Sequence, residues 1–504
     1  MTSFKALFDQ AEDAKRAGQH DRALGIYTYI QSISGRSDAN VHAAIQLGSL
    51  WKDLGCMDTA FKVTYEAAQS LDALGKYSAS GGIYTSLACA VLYAPGVTLE
   101  SYSKLVRRVT MSLDMSMPKV SHLNHDMTTQ RRLRVGILSP DICLHSLAYL
   151  VAQPLMRFTR VTPHELYLYH LRPSIDSVTK QVGQAATKLV HVHGMTDDAI
   201  VDAITADHID VLIDLSGYTA ESRLSVFCRR PAPVQMGWIS GMMTPTGLPS
   251  LPYFMTDSYM LPPQLPTGLC IPITAKTALT YHTLRSQELD IGQLPRDKTG
   301  VINFASFNNP CKINNDVLQA WARIMHGVPG SRLHLKTYSP MDSARIAEFM
   351  ANAKVDPGRL VLMPQLPSST DVQKYYSERV DIFLDAWPCS GCLTTAEALW
   401  MGVPVVSYYT DVFCSRQSHS ILNTIGVTDL SHPTVDGYVQ AAVNLARDVG
   451  RLRELRSTLR SRMSQSPLCD YDSMAREIGN AVVTAWQHAA AARKDSLDAL
   501  RKAA

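Results

Sequence analysis

From Arg131 to the C-terminus, short apolar, β-branched runs alternate with helical stretches, and they do so in two successive series. No other feature of the chain limits its fold as much. The first series holds strand candidates at 133–138 (LRVGIL), 166–169 (LYLY) and 211–214 (VLID). A Pro-rich connection near Leu261 to Pro272 follows. The second series holds candidates at 301–304, 333–335, 360–362, 382–384 and 403–406. Near-continuous apolar strands separated by helices predict parallel sheets covered on both faces. Two such series predict two doubly wound α/β domains. In sheets of this kind ligands bind beyond the carboxyl ends of the strands, so the loops after the strands are where chemistry is expected.

The first 125 or so residues read as all-helical. AEDAKRAGQHDRALGIYTYI carries Gly18, Ala23 and Tyr27, and LGSLWKDLGCMDTAFKVTYEAA carries Gly55, Ala60 and Tyr65 in the same order. In each, a small residue separates two amphipathic stretches, and an Ala stands where helices must approach closely. Gly18 and Gly55 are 37 residues apart, near the spacing of about 34 in tetratricopeptide repeats. A plain helical bundle is the alternative. A third, degenerate pair is expected around Tyr77 to Leu92, and repeats of this kind offer a groove to protein partners.

Bulk properties exclude several classes. A length of 504 residues suggests about three domains. With 46% hydrophobic and 18% charged residues the chain can bury full cores. Lys and Arg number 48 against 45 Asp and Glu, and that balance argues against nucleic acid as a partner. The most apolar stretch, near Tyr84 to Val97, is broken by Ser86 and Pro95, short of the roughly 18 apolar residues of a membrane span. The charged N-terminus lacks the pattern of a signal peptide, and the ten cysteines are scattered. A cytoplasmic protein with free thiols is expected.

Segments 139–151 (SPDICLHSLAYLV), 214–238 (DLSGYTAESRLSVFCRRPAPVQMGW), 304–314 (FASFNNPCKIN) and 385–407 (DAWPCSGCLTTAEALWMGVPVVS) stand out, with 415–427 and 466–486 behind them. In order, spacing and content they resemble the catalytic region of the O-linked N-acetylglucosamine transferase family, especially its bacterial members. The resemblance runs from Arg131 to the last helix, and repeats before the catalytic region fit it. It implies a GT-B fold, two Rossmann-like lobes after an all-α repeat domain. The divisions it suggests are 1–125 for the repeats, 126–290 for the N-terminal lobe, 291–465 for the nucleotide-sugar-binding lobe and 466–504 for C-terminal helices. It also implies an inverting glycosyltransferase whose donor is a nucleotide-sugar and whose acceptor is a protein Ser or Thr, with the repeats as its candidate guide.

Lys312 follows a strand in a polar turn. Breaking a sugar–phosphate bond builds negative charge on the leaving diphosphate, and a fixed cation there stabilises the transition state beyond the ground state. A solvated loop lysine is the commoner fate; the family motif assigns this one to the leaving group, with Asn309 as an accompanying amide. Gly391, Cys392, Leu393, Thr394 and Thr395 open a helix, where free N–H groups and the dipole suit a diphosphate. An N-cap and a surface Glu is the plainer reading, whereas the resemblance gives Glu397 the ribose hydroxyls. Cys389 and Cys392 form a lone CxxC, weak evidence for zinc or redox chemistry. His145 matches a family histidine proposed as base, with a positioning role as the alternative. Tyr218, Thr219, Met242, Met243 and Thr244 match segments beside the sugar and acceptor, where a purely architectural role is equally open.

The departures fall where the donor is chosen. Leu366, Pro367, Ser368, Asp371 and Lys374 occupy the loop that packs on the nucleotide base, with Ser368, Asp371 and Lys374 replacing a Lys, a His and an Arg. Cys392 and Leu393 replace a more polar pair. The turn after Trp238 reads Ser-Gly-Met-Met-Thr-Pro, one residue longer than usual. UDP-N-acetylglucosamine is the donor the resemblance points to. A different donor sugar with a flagellin or adhesin acceptor, transfer to a small molecule or glycan, and a non-catalytic repeat scaffold are the rivals. No metal and no cofactor are expected, since Lys312 and the helix N-terminus can neutralise a diphosphate; Asp470 and Asp472 read as carboxylates capping the last helix.

Overall fold

The protein is described by a computed structural model covering residues 3–35, 37–54, 56–73, 77–283 and 289–503. Its N-terminal part is helical: Phe4–Arg16, His20–Ser34, Asp38–Asp53, Met57–Ala73, Tyr77–Ala90 and Leu99–Val109. The first five pack each on the next. Ala23, Tyr27, Ala43 and Leu47 fill the core between the first of them. Gly18 takes a left-handed φ of 71° in the first turn, a conformation that costs Gly least; Gly55 lies outside the described residues. The expected pair around Tyr77 to Leu92 is a single helix followed by a 3-10 turn, Val91–Tyr93. Its chain reversal comes later, at Pro95 and Gly96, where Gly96 has φ 69°.

The first sheet contains β1 (Arg134–Ser139), β2 (Glu165–His170), β3 (Lys188–His191), β4 (Val211–Asp214), β5 (Val234–Trp238), β6 (Tyr253–Asp257) and β7 (Ile271–Ala275). They run parallel in the order β3-β2-β1-β4-β5-β6-β7. The three expected strands are β1, β2 and β4. The Pro-rich connection ends two residues earlier than expected, because Ile271 and Pro272 already belong to β7. That strand is an edge, where a missing N–H breaks no ladder.

The second sheet contains β8 (Asn303–Ser306), β9 (Arg332–Lys336), β10 (Leu360–Met363), β11 (Ile382–Leu384), β12 (Val405–Tyr408) and β13 (Ser431–His432). Its order is β10-β9-β8-β11-β12-β13, again parallel. Strand order reverses between β1 and β4 in one sheet and between β8 and β11 in the other. Those are the switch points where a doubly wound sheet leaves a crevice. Two Rossmann-like sheets behind a helical repeat region are the parts of a GT-B protein.

The chain divides into two compact units, Met1–Arg108 with Gln287–Ser461, and Val109–Ser286 with Arg462–Ala504. Within the first, the repeat helices pack against the second sheet's loops: Asp38–Asp53 touches the 3-10 turn Pro310–Lys312, and Cys414 Sγ donates to Leu92 O at 3.6 Å. Within the second, the helix Tyr471–Ala503 packs on Ala148–Val161. Asp470 caps that last helix through Ser473 N at 3.0 Å, and Asp472 pairs with Arg157 and Arg160. Among the described residues no helix is long and apolar enough to cross a membrane.

Candidate active site

The loops after β8 and β11 meet at the second sheet's switch point, and Asp385 ties them together. This carboxylate, fully buried at the end of β11, accepts from Gly391 N at 2.8 Å and Ala386 N at 2.9 Å. It also accepts from Asn308 Nδ2 at 3.1 Å and Ser407 Oγ at 2.8 Å. Asn308 Oδ1 takes a bond from Thr394 Oγ1 at 3.2 Å. Thr395 and Ser418 share a hydroxyl bond of 2.7 Å, and Ser418 Oγ reaches Gly391 O at 2.8 Å. Gly391 has no room for a side chain: a Cβ there would stand 2.5 Å from Thr395 Oγ1 and 2.7 Å from Thr394 Oγ1. The helix Leu393–Trp400 begins at Cys392, whose side chain makes no cap. Its first-turn N–H groups keep their capacity to bind an anion.

Lys312 lies beside this loop, its Nζ donating to Ser390 O at 2.7 Å. Burial opposes its charge, but Cys389 and then Asp385 outweigh that and hold its pKa above the usual lysine value. The Cys389 thiol is held low by a hydrogen bond from Cys414, against its burial, with Lys312 adding to the effect. The ammonium is therefore fixed and charged next to the helix N-terminus.

A cavity of about 230 Å³ opens beside the loop. Phe307, Met363, Val372 and Tyr376 give it an apolar floor, while Lys336, Thr394 and Glu397 give it polar contacts. Leu366, Pro367 and Ser368 line it as well. Asp371 does not. It accepts Ser368 Oγ at 2.6 Å and returns its own N–H to that oxygen at 3.2 Å, a reciprocal cap on the helix Ser369–Arg379. Lys374 is exposed on that helix. Asn309 is exposed too, and its side chain caps the Pro310–Lys312 turn through Cys311 N at 3.1 Å. Its neighbour Asn308 is the amide bonded to Asp385 and Thr394. Cys392 and Leu393 are half-buried at the helix start.

In the other unit, His145 is exposed on the loop after β1. Its Nδ1 lies 3.6 Å from Asp141 Oδ1 and 3.3 Å from Leu147 N. When Nδ1 carries the proton toward Asp141, Nε2 is left as an acceptor; when Leu147 donates, it is not. Asp141 is braced by Arg172 at 3.4 Å, which also pairs with Glu221 at 3.1 Å. The loops 215–219 and 239–244 interlock behind it. Asp214 accepts from Ser216 N, Gly217 N and Ser240 Oγ at 3.0, 2.9 and 2.9 Å. Burial pushes the Asp214 carboxyl up against these bonds. Ile239, Ser240 and Met243 all have positive φ, at 66°, 40° and 55°, strain that persists only where surroundings over-determine it. Tyr218 is buried and donates to Thr246 O at 2.7 Å. Thr219 bonds Ser216 O at 2.6 Å. Met242, Met243 and Thr244 are buried in the strained turn.

Sequence reasoning missed Asp385, Asn308, Lys336, Phe307 and Tyr376. Asp385 and Asn308 lie inside the motifs already named, and a carboxylate at a strand end six residues before Gly391 is the available signal. Lys336 ends a strand outside every motif, so nothing distinguished it from a surface lysine.

The model of Glycosyl transferase family 41 matches residues 108–271 and 274–478. The chain is 32% identical over 379 residues to the probable UDP-N-acetylglucosamine–peptide N-acetylglucosaminyltransferase SPINDLY of Solanum lycopersicum, covering 73% of this chain and 40% of that one. It is 26% identical over 374 residues to the probable transferase SEC of Arabidopsis thaliana, covering 71% and 37%. Among solved structures, a mutant of the Thermobaculum terrenum O-GlcNAc transferase matches with a TM-score of 0.76 at 27% identity, covering 98% of this chain and 100% of that one. The chain thus spans 40% or less of the length of these plant relatives.

Proposed function

We infer that this chain, which belongs to glycosyltransferase family 41, transfers a sugar from a nucleotide-sugar to Ser or Thr hydroxyls of a protein, with inversion. The observation that carries the reading is the second-sheet switch point, where a charged Lys312, a helix N-terminus held open by Gly391 and a cavity containing Glu397 stand together. The donor diphosphate lies against Lys312 and the first turn of Leu393–Trp400. Glu397 takes the ribose hydroxyls, and the base packs by Leu366, Pro367 and Ser368. The acceptor oxygen attacks the anomeric carbon as the bond to the β-phosphate oxygen breaks. Lys312 stabilises the charge that grows on that oxygen. The acceptor proton leaves late, because a hydroxyl is a weak acid, and His145 is the candidate to receive it. In the structure Leu147 N donates to Nδ1 at 3.3 Å, so the base role calls for the other tautomer, with Nδ1–H turned to Asp141 and Nε2 open.

UDP-N-acetylglucosamine is the leading donor, since the plant relative is named as a probable UDP-N-acetylglucosamine–peptide transferase and the bacterial one as an O-GlcNAc transferase. The base loop bears on that choice. With Asp371 occupied by Ser368 and Lys374 turned to solvent, base recognition falls to the apolar floor and the backbone of Pro364 to Pro367. A thermal-shift screen against UDP-, GDP- and CMP-sugars tests the reading. Stabilisation by one nucleotide series is expected, strongest for UDP; no shift with any of them sinks it.

A further inference from the structure

Lys336 is the one residue of the donor cavity that carries charge and has been given no task. It ends β9, in register with Met363 of β10, and its side chain lines the cavity with Thr394 and Glu397. Among the described residues its ammonium makes no hydrogen bond or ion pair; it stands over the Tyr338 ring at 5.1 Å. Burial pulls its pKa below the usual lysine value, Glu397 pulls it back up and Lys312 pushes it down. Desolvating an ammonium without a hydrogen-bond partner costs free energy. A half-buried lysine that aims into a cavity and leaves its donors unused is arranged for an anion that arrives later.

Which anion follows from position. Lys312 lies by Ser390, outside the cavity lining, and Lys336 lies inside it with Glu397. On the functional reading above, on which this inference rests, Glu397 holds the ribose and Lys312 the phosphate that departs from the sugar. We propose that Lys336 is a second donor-binding cation, which binds the phosphate attached to the ribose. The two lysines then divide the work. Charge on the ribose-linked phosphate changes little during sugar transfer, so Lys336 binds ground and transition states alike. Charge on the other phosphate grows, so Lys312 acts on the chemical step. Lys336 sets affinity and Lys312 sets turnover.

The test is calorimetric titration of uridine, UMP and UDP into wild type, Lys336→Gln and Lys336→Arg, with the guanosine series in parallel. Lys336→Gln is expected to weaken the monophosphate and diphosphate by about 10- to 100-fold, the effect of one charge-assisted hydrogen bond, and to leave the nucleoside unchanged. Lys336→Arg is expected to restore most of the loss. Steady-state rates are expected to show a raised KM for donor with kcat within about twofold. Should the glutamine variant fail to fold, Lys336→Met carries the same comparison. Equal weakening of nucleoside and monophosphate would mean that Lys336 only shapes the cavity. Unchanged phosphate affinity, or a fall in kcat at constant KM, also overturns the proposal. Tight binding by wild type with no effect of Lys336 removes this inference alone; no nucleotide binding by wild type removes the donor reading and this with it.

Discussion

At the scale of single residues, His145 and Asp141 are a pair whose geometry makes a sharp prediction. The imidazole is exposed, and its Nδ1 sits between a carboxylate and a backbone N–H. Replacing His145 by Ala should lower kcat by about 10²- to 10⁴-fold, the usual worth of general acid–base assistance, while nucleotide affinity measured by calorimetry stays put. Asp141→Asn should cost less, since it removes the carboxylate beside Nδ1 and leaves the base. Equal kcat in His145→Ala and wild type would reduce this histidine to a surface residue. Lys312 and His145 were both legible before the fold was known, because each follows a strand inside a recognisable motif. Lys336 was not. Its importance depends on which cavity β9 runs into, and that is set by long-range strand pairing.

At the scale of elements, the loop from Gly391 to Thr395 is built by exclusion as much as by bonding. The Cβ of a Gly391→Ala variant would displace the hydroxyls of Thr394 and Thr395, which lie 2.7 and 2.5 Å from it. That variant should remain folded by circular dichroism and lose nucleotide-induced stabilisation. Retained stabilisation would show that the loop has slack the structure does not suggest.

Two neutral histidines stand in the second lobe, one buried on β9 and one half-buried on the helix Gln417–Thr424. His334, on β9, bonds Tyr375 OH at 2.7 Å, and its pKa is pushed down to about 4 by burial, with Arg332 and Arg379 adding to it. His419 is likewise brought to about 4 by burial and then Arg416. The unfolded chain takes up protons near pH 6.5 while the folded one does not, so stability is full above that value and lost as pH falls toward 4. Thermal melts should drop steadily across that window. His419→Gln should flatten part of the drop, and a melt insensitive to pH between 6.5 and 4 would contradict the desolvation of both rings.

Several strands were unreadable for physical reasons. β5 carries Gln235 and Gly237, and its interior polar residue is tolerated because Gln235 Nε2 donates to Phe227 O and Ser250 O at 2.8 and 2.6 Å. β7 contains Pro272, and β3 is an exposed edge. Buried strands such as β4 and β11 were visible because Val211 to Ile213 and Ile382 to Leu384 are unbroken apolar runs.

At the scale of the whole molecule, the repeat region belongs to the same compact unit as the second sheet. Tyr93 is half-buried with the thiols of Cys389, Cys311, Cys89 and Cys414 near it, and desolvation first, then those thiols, push its pKa well up. Leu92 O receives the Cys414 thiol, and Asp38–Asp53 touches the turn that carries Lys312. These helices support the ground on which Lys312 stands. Deleting residues 3–108 should therefore lower the melting temperature of the remainder and weaken UDP binding, beyond any loss of acceptor recognition. A truncated chain that melts like the full protein and binds UDP equally would show that the repeats are a detachable adaptor.

The central claim is that Lys312 stabilises a departing nucleotide while sugar passes to a protein hydroxyl. Its most direct test is intact-mass analysis of a protein acceptor after co-expression with the wild-type chain or with Lys312→Ala. Discrete additions of one sugar mass are predicted with wild type, and their disappearance with Lys312→Ala while the variant stays folded, a loss of about 10²- to 10³-fold in kcat. Sugar addition at undiminished rate by Lys312→Ala would contradict the account.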